Sequence, residues 1–225
     1  ALALIMSLFV TNGYLMQSVI EEKESRLIEI LLASVRPIEL LGGKILAMGL
    51  LGILQLVVWI GALVLLPRIF GGGDAANTAG MLAAVLNIQV PTDILPLIAV
   101  YFVLAYVMFG AFFAAIGALS NSMREGPQYA VLFTLPAVAP LWFLPLFAAQ
   151  PDGTLAVILS MFPLTSPIAM TVRLVVSPVP PLQIVISIIL LALGALGAIW
   201  LAGRLFRVQS LLAGKMPRLR DIPAL

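Results

Sequence analysis

The sequence contains no cysteine and no histidine. Disulfides, thiolate nucleophiles and the commonest ligands of zinc and haem are therefore excluded from these 225 residues. Charged residues are scarce too, at 10% of the chain, against about a quarter in an ordinary soluble domain. Apolar residues are abundant instead, since 62% of the chain is hydrophobic. A water-soluble fold of this size cannot bury so much apolar surface, so we predict that lipid surrounds the chain.

A phosphate-binding loop of the form G-x-x-x-x-G-K-[ST] is also missing. The two Gly-Lys pairs, at 43–44 and 214–215, are followed by Ile and Met where the motif requires Ser or Thr. Any ATPase that serves this chain is therefore expected in another polypeptide or segment. The chain begins inside an apolar run, at Ala1–Leu4, with no initiator Met. We interpret it as a fragment.

Five uncharged apolar stretches are each long enough to cross a bilayer, because about 20 helical residues span a hydrocarbon core about 30 Å thick. They lie at about 1–20, 45–66, 94–119, 128–149 and 182–203. Helix is the expected structure, since backbone polar groups in lipid must be hydrogen-bonded within the segment. The sequence therefore predicts an all-α, polytopic membrane protein that forms a single transmembrane domain, 1–225.

A sixth apolar stretch, 155–176, is ambiguous. Its polar, proline and charged positions are Pro163, Thr165, Ser166, Pro167, Thr171 and Arg173. With five spans, all but two of the 12 Lys and Arg residues lie on one side, and the two exceptions are Arg68 and Arg173. A sixth crossing would reduce this bias to near parity, so the positive-inside rule favours five.

The five-span topology fixes the sides of the connecting segments. Residues 155–176 are predicted to form an outer segment that dips into the membrane or lies on it. The loops 21–44 and 120–127 and the tail 204–225 are predicted to face the cytoplasm.

The predicted spans contain no Asp, Glu, Lys, Arg or His. Ion-coupled carriers generally place a carboxylate or a histidine at membrane depth, so a proton-driven carrier is disfavoured. Sodium sites built from carbonyl oxygens remain open. The spans also offer no acid, base or metal-binding set, so we do not expect the chain itself to be an enzyme.

The dense charge cluster is at 21–36, just before Pro37. At 100° per residue its apolar side chains fall on one side of a helix and its charged ones on the other. An interfacial helix with a wet polar face explains this pattern, and so does a docking surface for a soluble subunit. Spacing alone does not decide between them. The charged candidates for docking are Glu21, Glu22, Glu24, Arg26, Glu29 and Arg36.

Three runs carry a resemblance to a known family. The run Glu21–Val35, followed by Pro37 and Gly43–Leu46, resembles the first cytoplasmic loop of exporter-type (type 2) ABC permeases, with the sodium-efflux permeases of bacteria and archaea nearest. The run Phe162–Pro167, with Arg173 downstream, is similar to the outer re-entrant hairpin before the last span of that family. The ending from Ala202 to Lys215 resembles the family's last segment.

The resemblance implies a function for the charge cluster and a set of partners. Residues 21–36 would be the coupling helix, docked to an ABC ATPase subunit that binds ATP and Mg²⁺, so that this chain binds no cofactor. Two permease halves would pair as a homodimer or heterodimer in the cell membrane of a bacterium or archaeon, with lipid and not nucleic acid as a further partner. Full-length relatives have a preceding span and a large outer domain, which agrees with the fragment interpretation. The re-entrant and gate candidates would be Pro163, Thr165, Ser166, Pro167 and Arg173.

Several alternatives stay open. The chain could be a passive channel or secondary carrier without an ATPase, or a non-transporting membrane assembly subunit. Arg173 fits an anchor to lipid headgroups and also a gate or substrate contact. The prolines of the fourth span fit a hinge and also a tolerated kink. Two rows of small residues fit pairing of permease halves and also packing within one chain; they are Gly110, Ala114 and Gly117, and Gly194, Gly197 and Ala198.

Overall fold

The computed structural model describes residues 2–24, 37–70, 94–120 and 122–211, and every regular element in these ranges is helical. A 3-10 helix, Ala139–Phe143, separates α4 from α5. The α-helices are α1 (Leu2–Glu24), α2 (Pro37–Phe70), α3 (Leu95–Leu119), α4 (Glu125–Val138), α5 (Leu144–Ala149), α6 (Thr154–Met161), α7 (Ser166–Val176) and α8 (Pro181–Leu211). The predicted all-α class is confirmed for the described part of the chain.

Four helical stretches are long and apolar enough to cross a membrane. They are Gly42–Trp59, Leu95–Leu119, Glu125–Ala149 and Pro181–Leu205, and they match the second to fifth predicted spans. Helix α1 has 23 residues, and it is not among these four stretches. The crossing of α1 stays a prediction.

Two helices extend beyond their predicted spans at the charged ends. Helix α1 continues to Glu24, and α2 begins at Pro37 instead of near residue 45. Proline suits the first turn of a helix, because the amide hydrogen that it lacks would have no intrahelical partner there. Residues 21–24 and 37–44 of the predicted loop are therefore helical. Residues 25–36, which hold most of the predicted coupling helix, lie outside the described residues.

Helix α3 is the centre of the bundle, and α1 runs beside it in the same direction. In the apolar stretch of α3, 56% of the residues are buried, against 11% for α2 and 22% each for the α4–α5 and α8 stretches. Phe9 meets Phe109 edge to face, with ring centroids 5.2 Å apart. Further along both helices, a Cβ on Gly117 would lie 2.9 Å from the carbonyl oxygen of Met16. Both helices therefore end on the same side of the bundle.

Helix α8 also runs parallel to α3. The Tyr101 hydroxyl donates to the carbonyl of Ile184 at 3.3 Å near the start of both helices. Further along, a Cβ on Gly194 would lie 3.3 Å from the sulfur of Met108. Because α8 starts at the same side of the bundle as α3, the segment between α5 and α8 has both of its ends on that side.

The chain between α3 and α8 is interrupted by prolines. Pro136 lies inside α4, Pro140 in the first turn of the 3-10 helix and Pro145 in the first turn of α5. A proline ring removes one helical hydrogen bond and clashes with the preceding turn. The predicted break in this span is confirmed, and its use as a hinge stays a prediction.

Candidate functional site

Helices α6 and α7 form a hairpin that lies along α8. On α6, the carbonyl of Ser160 accepts a 2.6 Å hydrogen bond from the Ser187 hydroxyl. At the tip, the ring of Pro163 lies 2.9 Å from where a Cβ on Gly194 would be. From Pro181, where α8 begins, to Gly194 a helix rises about 20 Å. The hairpin therefore reaches well down the side of α8 before it returns.

The four gate candidates other than Arg173 come together at the tip of this hairpin. The Thr165 hydroxyl donates to the carbonyls of Leu159 and Phe162, and the Ser166 amide donates to the carbonyl of Phe162 at 2.8 Å. Pro167 lies in the first turn of α7. Thr165 and Ser166 are buried, and their described hydrogen bonds close the turn between α6 and α7.

Arg173 lies at the opposite end of the hairpin from the tip, and its side chain is fully buried. Nε donates to the carbonyl of Pro151 at 2.8 Å, and Nη1 donates to Ser160 Oγ at 2.8 Å. Nη2 donates to Asp152 Oδ1 at 3.0 Å and to Gln183 Oε1 at 2.9 Å. The guanidinium thus joins α7 to α6, α8 and the turn before α6. The lipid-headgroup interpretation of Arg173 is wrong, because the side chain does not reach the surface.

Lys23 holds the other end of the bundle together. It lies in the last turn of α1 and donates to the carbonyls of Ala118 and Ser120, both at 2.9 Å. The carbonyls at the C-terminus of a helix lack intrahelical partners and carry partial negative charge, so a cation is favoured there. Burial lowers the pKa of Lys23, while the carboxylate of Glu125 at the start of α4 acts in the opposite direction.

The neighbouring Glu22 contacts α2. Its carboxylate lies 2.5 Å from Nζ of Lys44, which also donates to the carbonyl of Ser18 at 3.4 Å. Of the six docking candidates, Glu21 and Glu22 lie in the last turns of α1, and Glu24 is its final residue. The other three, Arg26, Glu29 and Arg36, lie outside the described residues.

A buried polar group in α1 went unnoticed in the sequence. The Ser7 hydroxyl donates to the carbonyl of Gly52 at 2.7 Å, and Thr11 donates to the carbonyl of Ser7. Asn12 is fully buried, and its Oδ1 has no hydrogen-bond partner within the described ranges. That oxygen lies 3.1 Å from where a Cβ on Gly110 would be. In the sequence, this group is visible only as the uncharged pair Thr11-Asn12 inside an apolar run, and such a pair does not stand out among ionisable residues.

The small residues of α3 pack within the chain. A Cβ on Gly110 would meet Asn12, and a Cβ on Gly117 would meet Met16 and Val19, all on α1. The first row of small residues is therefore explained by intrachain packing. On α8, Gly194 faces Pro163, whereas Gly197 has no neighbouring atom within 4 Å.

The described residues include no group of three or more His, Cys, Asp and Glu side chains that could hold a metal ion. The two polar clusters instead share one property: each fixes a helix end to its neighbours, through Arg173 on one side of the bundle and Lys23 on the other. Their described contacts are hydrogen bonds between elements, which makes them candidates for positioning helices.

Comparison with known proteins gives a family match and two relatives. The model of a family described as ABC-2 family transporter protein matches residues 1–204. The chain is 27% identical over 209 residues to the uncharacterized protein MJ1024 of Methanocaldococcus jannaschii, covering 93% of this chain and 48% of the relative. It is 28% identical over 167 residues to the uncharacterized protein YhaP of Bacillus subtilis, covering 74% of this chain and 39% of the relative. The chain thus spans half or less of these curated relatives, and no solved structure matches it.

Proposed function

Since the chain belongs to the ABC-2 family of transporter proteins, we propose that it is the permease of an exporter that moves its substrate outward. Members of this family are the membrane permease of an ABC transporter, and ATP hydrolysis is carried out by a separate subunit. The observation that carries the proposal is the family match over 1–204 in a chain with four helices apolar enough to cross a membrane. ATP and Mg²⁺ would bind the partner subunit.

The proposed topology has five crossings in the cell membrane, with α1 as the first. Helix α1 lies beside α3 in the same direction, from the Phe9–Phe109 contact to the bonds of Lys23 at the end of α3. A helix that follows a membrane span over this length shares its depth, which supports a crossing by α1. Its polar side chains at Ser7 and Thr11 bond to backbone carbonyls, as buried hydroxyls in a membrane require.

The proposed outer side carries the hairpin of α6 and α7 as a re-entrant segment. Both of its ends lie at the start of α8, where Arg173 meets Gln183, and its tip reaches Gly194. A segment that enters and returns in this way leaves α8 to end on the same side as α1 and α3. The cytoplasmic side would then hold residues 21–44, 120–127 and the tail, as the positive-inside rule requires.

We place the docking surface for the ATPase on residues 21–36, through Glu21, Glu22, Glu24, Arg26, Glu29 and Arg36. At the charged end of α1, Glu22 pairs with Lys44 of α2, and Lys23 bonds to the carbonyl of Ala118 in α3. A second permease half and lipid would cover the exposed apolar side chains, which are numerous on α2 and α8.

The docking proposal is tested by reversing two acidic residues, Glu24→Arg together with Glu29→Arg, in the full-length protein. Glu22 is left unchanged because it pairs with Lys44 within the chain. We expect co-purification with the ABC ATPase subunit to fall at least about tenfold, since like charges opposite each other at an interface cost several kcal/mol. The matched control is Asp74→Arg with Asp93→Arg, which should leave the complex intact, because these residues connect the predicted spans 45–66 and 94–119 on the outer side of the five-span topology. Equal recovery of the ATPase by both double variants would contradict the docking role.

A further inference from the structure

We propose that Lys23 is a positioning residue that passes movement of the docked segment to the turn between α3 and α4. This inference rests on the proposed function, since it needs an ATPase that moves residues 21–36. The contacts that carry it all lie within the described ranges: the last turn of α1, the end of α3 and the start of α4.

The first requirement is a rigid connection between the charged residues and the membrane helix. Helix α1 is continuous from Leu2 to Glu24, so the first charged turn is part of the same rod as the apolar residues before it. Hydrogen bonds between successive turns make an α-helix resist bending over this length. Movement applied at Glu24 is therefore applied to the whole of α1.

The second requirement is a contact that ties the end of α1 to the next elements. The ammonium of Lys23 bridges two carbonyls at the end of α3, that of Ala118 in its last turn and that of Ser120 just after it. Helix α3 has no basic residue in its own last turn, so Lys23 supplies the cation that its dipole favours there. Glu125, in the first turn of α4, is close enough to influence the pKa of the same ammonium. The Lys23 side chain thus interacts with the end of α3 and with the start of α4, the two helices that the turn connects.

The third requirement is that the surrounding packing keeps this geometry fixed. Two glycines let the backbones of α3 and α4 approach α1 closely. A Cβ on Gly117 would lie 2.9 Å from the carbonyl oxygen of Met16, and a Cβ on Gly126 would lie 2.6 Å from Cδ1 of Ile20. Since close-packed side chains leave no room for sliding, the three helix ends should move together.

The contact with α2 has a different character. At the charged end of α1, Glu22 and Lys44 form an ion pair between two long side chains that are 22% and 14% exposed, and Lys44 also donates to the carbonyl of Ser18. Both side chains are long, so this ion pair constrains the distance between the two helices less than the close backbone contacts at Gly117 and Gly126 do. We therefore expect α2 to follow α1 less closely than the α3–α4 turn does.

Spatial connection alone does not demonstrate coupling, so the test measures a movement. The parent is the full-length protein with its ATPase in lipid nanodiscs. The 225 residues contain no cysteine, and any cysteine elsewhere in the complex is first replaced by serine. Spin labels are then placed at two exposed positions, Trp142→Cys in the 3-10 helix after α4 and Leu182→Cys at the start of α8. The label distance is measured without nucleotide and after trapping with ATP and vanadate. The variants are Lys23→Met, Lys23→Arg and the matched control Lys44→Met.

We expect the trapped parent to show a shift in label distance that Lys23→Met reduces by at least half, with recovery of the complex measured in the same samples. Lys23→Arg, which keeps the charge and N–H donors, should restore the shift, and Lys44→Met should retain it. An unchanged shift in Lys23→Met would overturn the inference while leaving the docking role intact. A complex that fails to assemble with Lys23→Met and is not rescued by arginine would also overturn it, because Lys23 would then serve folding alone. A parent without any nucleotide-dependent shift would contradict both this inference and the proposed function.

Discussion

Arg173 shows how a charged side chain is accommodated inside this bundle. Four hydrogen bonds from its guanidinium compensate for the loss of water, and these bonds reach three separate parts of the chain. A buried charge is costly unless it is paired and hydrogen-bonded in this way. Removal of the cation would take away the donor to the Pro151 carbonyl and to the buried Ser160 hydroxyl.

We predict that Arg173→Met lowers the free energy of unfolding by about 2–4 kcal/mol, because each buried acceptor left unpaired costs about 1–3 kcal/mol. The measurement is thermal or detergent unfolding of the purified protein. The control is Asp152→Asn, which removes the formal ion pair but leaves the other three acceptors in place. Since the Asp152 side chain is 66% exposed, solvent screens this pair, and we expect a loss below about 1 kcal/mol. Similar losses in both variants would show that the ion pair, and not the buried acceptors, stabilises this end.

At the residue scale the sequence did not predict the contacts that the candidate residues make. Arg173 stood out as an outer cation, yet its burial depends on Ser160 and Gln183, which lie 13 and 10 positions away in the chain. Asn12 did not stand out, because an uncharged amide in an apolar run carries no strong pattern. Partners brought together by folding were beyond what spacing predicts.

At the scale of helices, glycines decide how closely the elements approach. Gly194 and Gly197 lie three residues apart on α8, but only Gly194 faces another element. Its absent side chain makes room for Pro163 at the tip of the hairpin. The hairpin is therefore seated on α8 through the shape of one position as well as through the hydrogen bonds at its base.

The two glycines of α8 make a matched pair for a test. We predict that Gly194→Ala destabilises the protein by about 1–3 kcal/mol, the usual cost of overfilling a packed contact. Gly197→Ala should stabilise it by up to about 1 kcal/mol, because alanine is the better helix former and nothing lies within 4 Å. The comparison uses the same unfolding assay, and a destabilising Gly197→Ala would contradict the assignment of its open face.

The positions of the helices were largely predictable from apolar runs, whereas their ends were not. The four stretches long and apolar enough to cross follow the lengths and hydropathy of the sequence. A break was predicted between the first span, 1–20, and the helix at 21–36, whereas α1 continues without a break to Glu24. In the structure Glu22 and Lys23 have partners on α2 and α3, and these contacts favour continuing the helix.

For the whole molecule, the direction of the helices fixes which ends share a side. Helices α1, α3 and α8 run in one direction, so Lys23 and Ser120 lie at one end of the bundle, and Arg173 and Asp152 lie at the other. The charge asymmetry of the sequence predicts that the end with Lys23 is cytoplasmic. The five-span topology predicted from the charges requires α1, α3 and α8 to run in one direction, and the packing of these helices agrees with that requirement.

Labelling in intact cells tests this topology. We predict that a cysteine at Asp152 reacts with a membrane-impermeant maleimide added outside, whereas a cysteine at Ser122 reacts only after the membrane is permeabilised. The absence of cysteine from the 225 residues leaves each introduced thiol without competition in this part of the protein. Labelling of Ser122→Cys from outside would reverse the orientation and remove the ATPase from reach of residues 21–36.

The burial of Arg173 has a consequence for proteolysis. Trypsin recognises an arginine by taking its side chain into a charged pocket, and a guanidinium held by four acceptors inside the protein cannot enter that pocket. The bond after Arg173 also lies within α7, where cleavage requires local unfolding. Trypsin added to the outer face should therefore leave this bond intact, and its cutting would report that the base of the hairpin has opened.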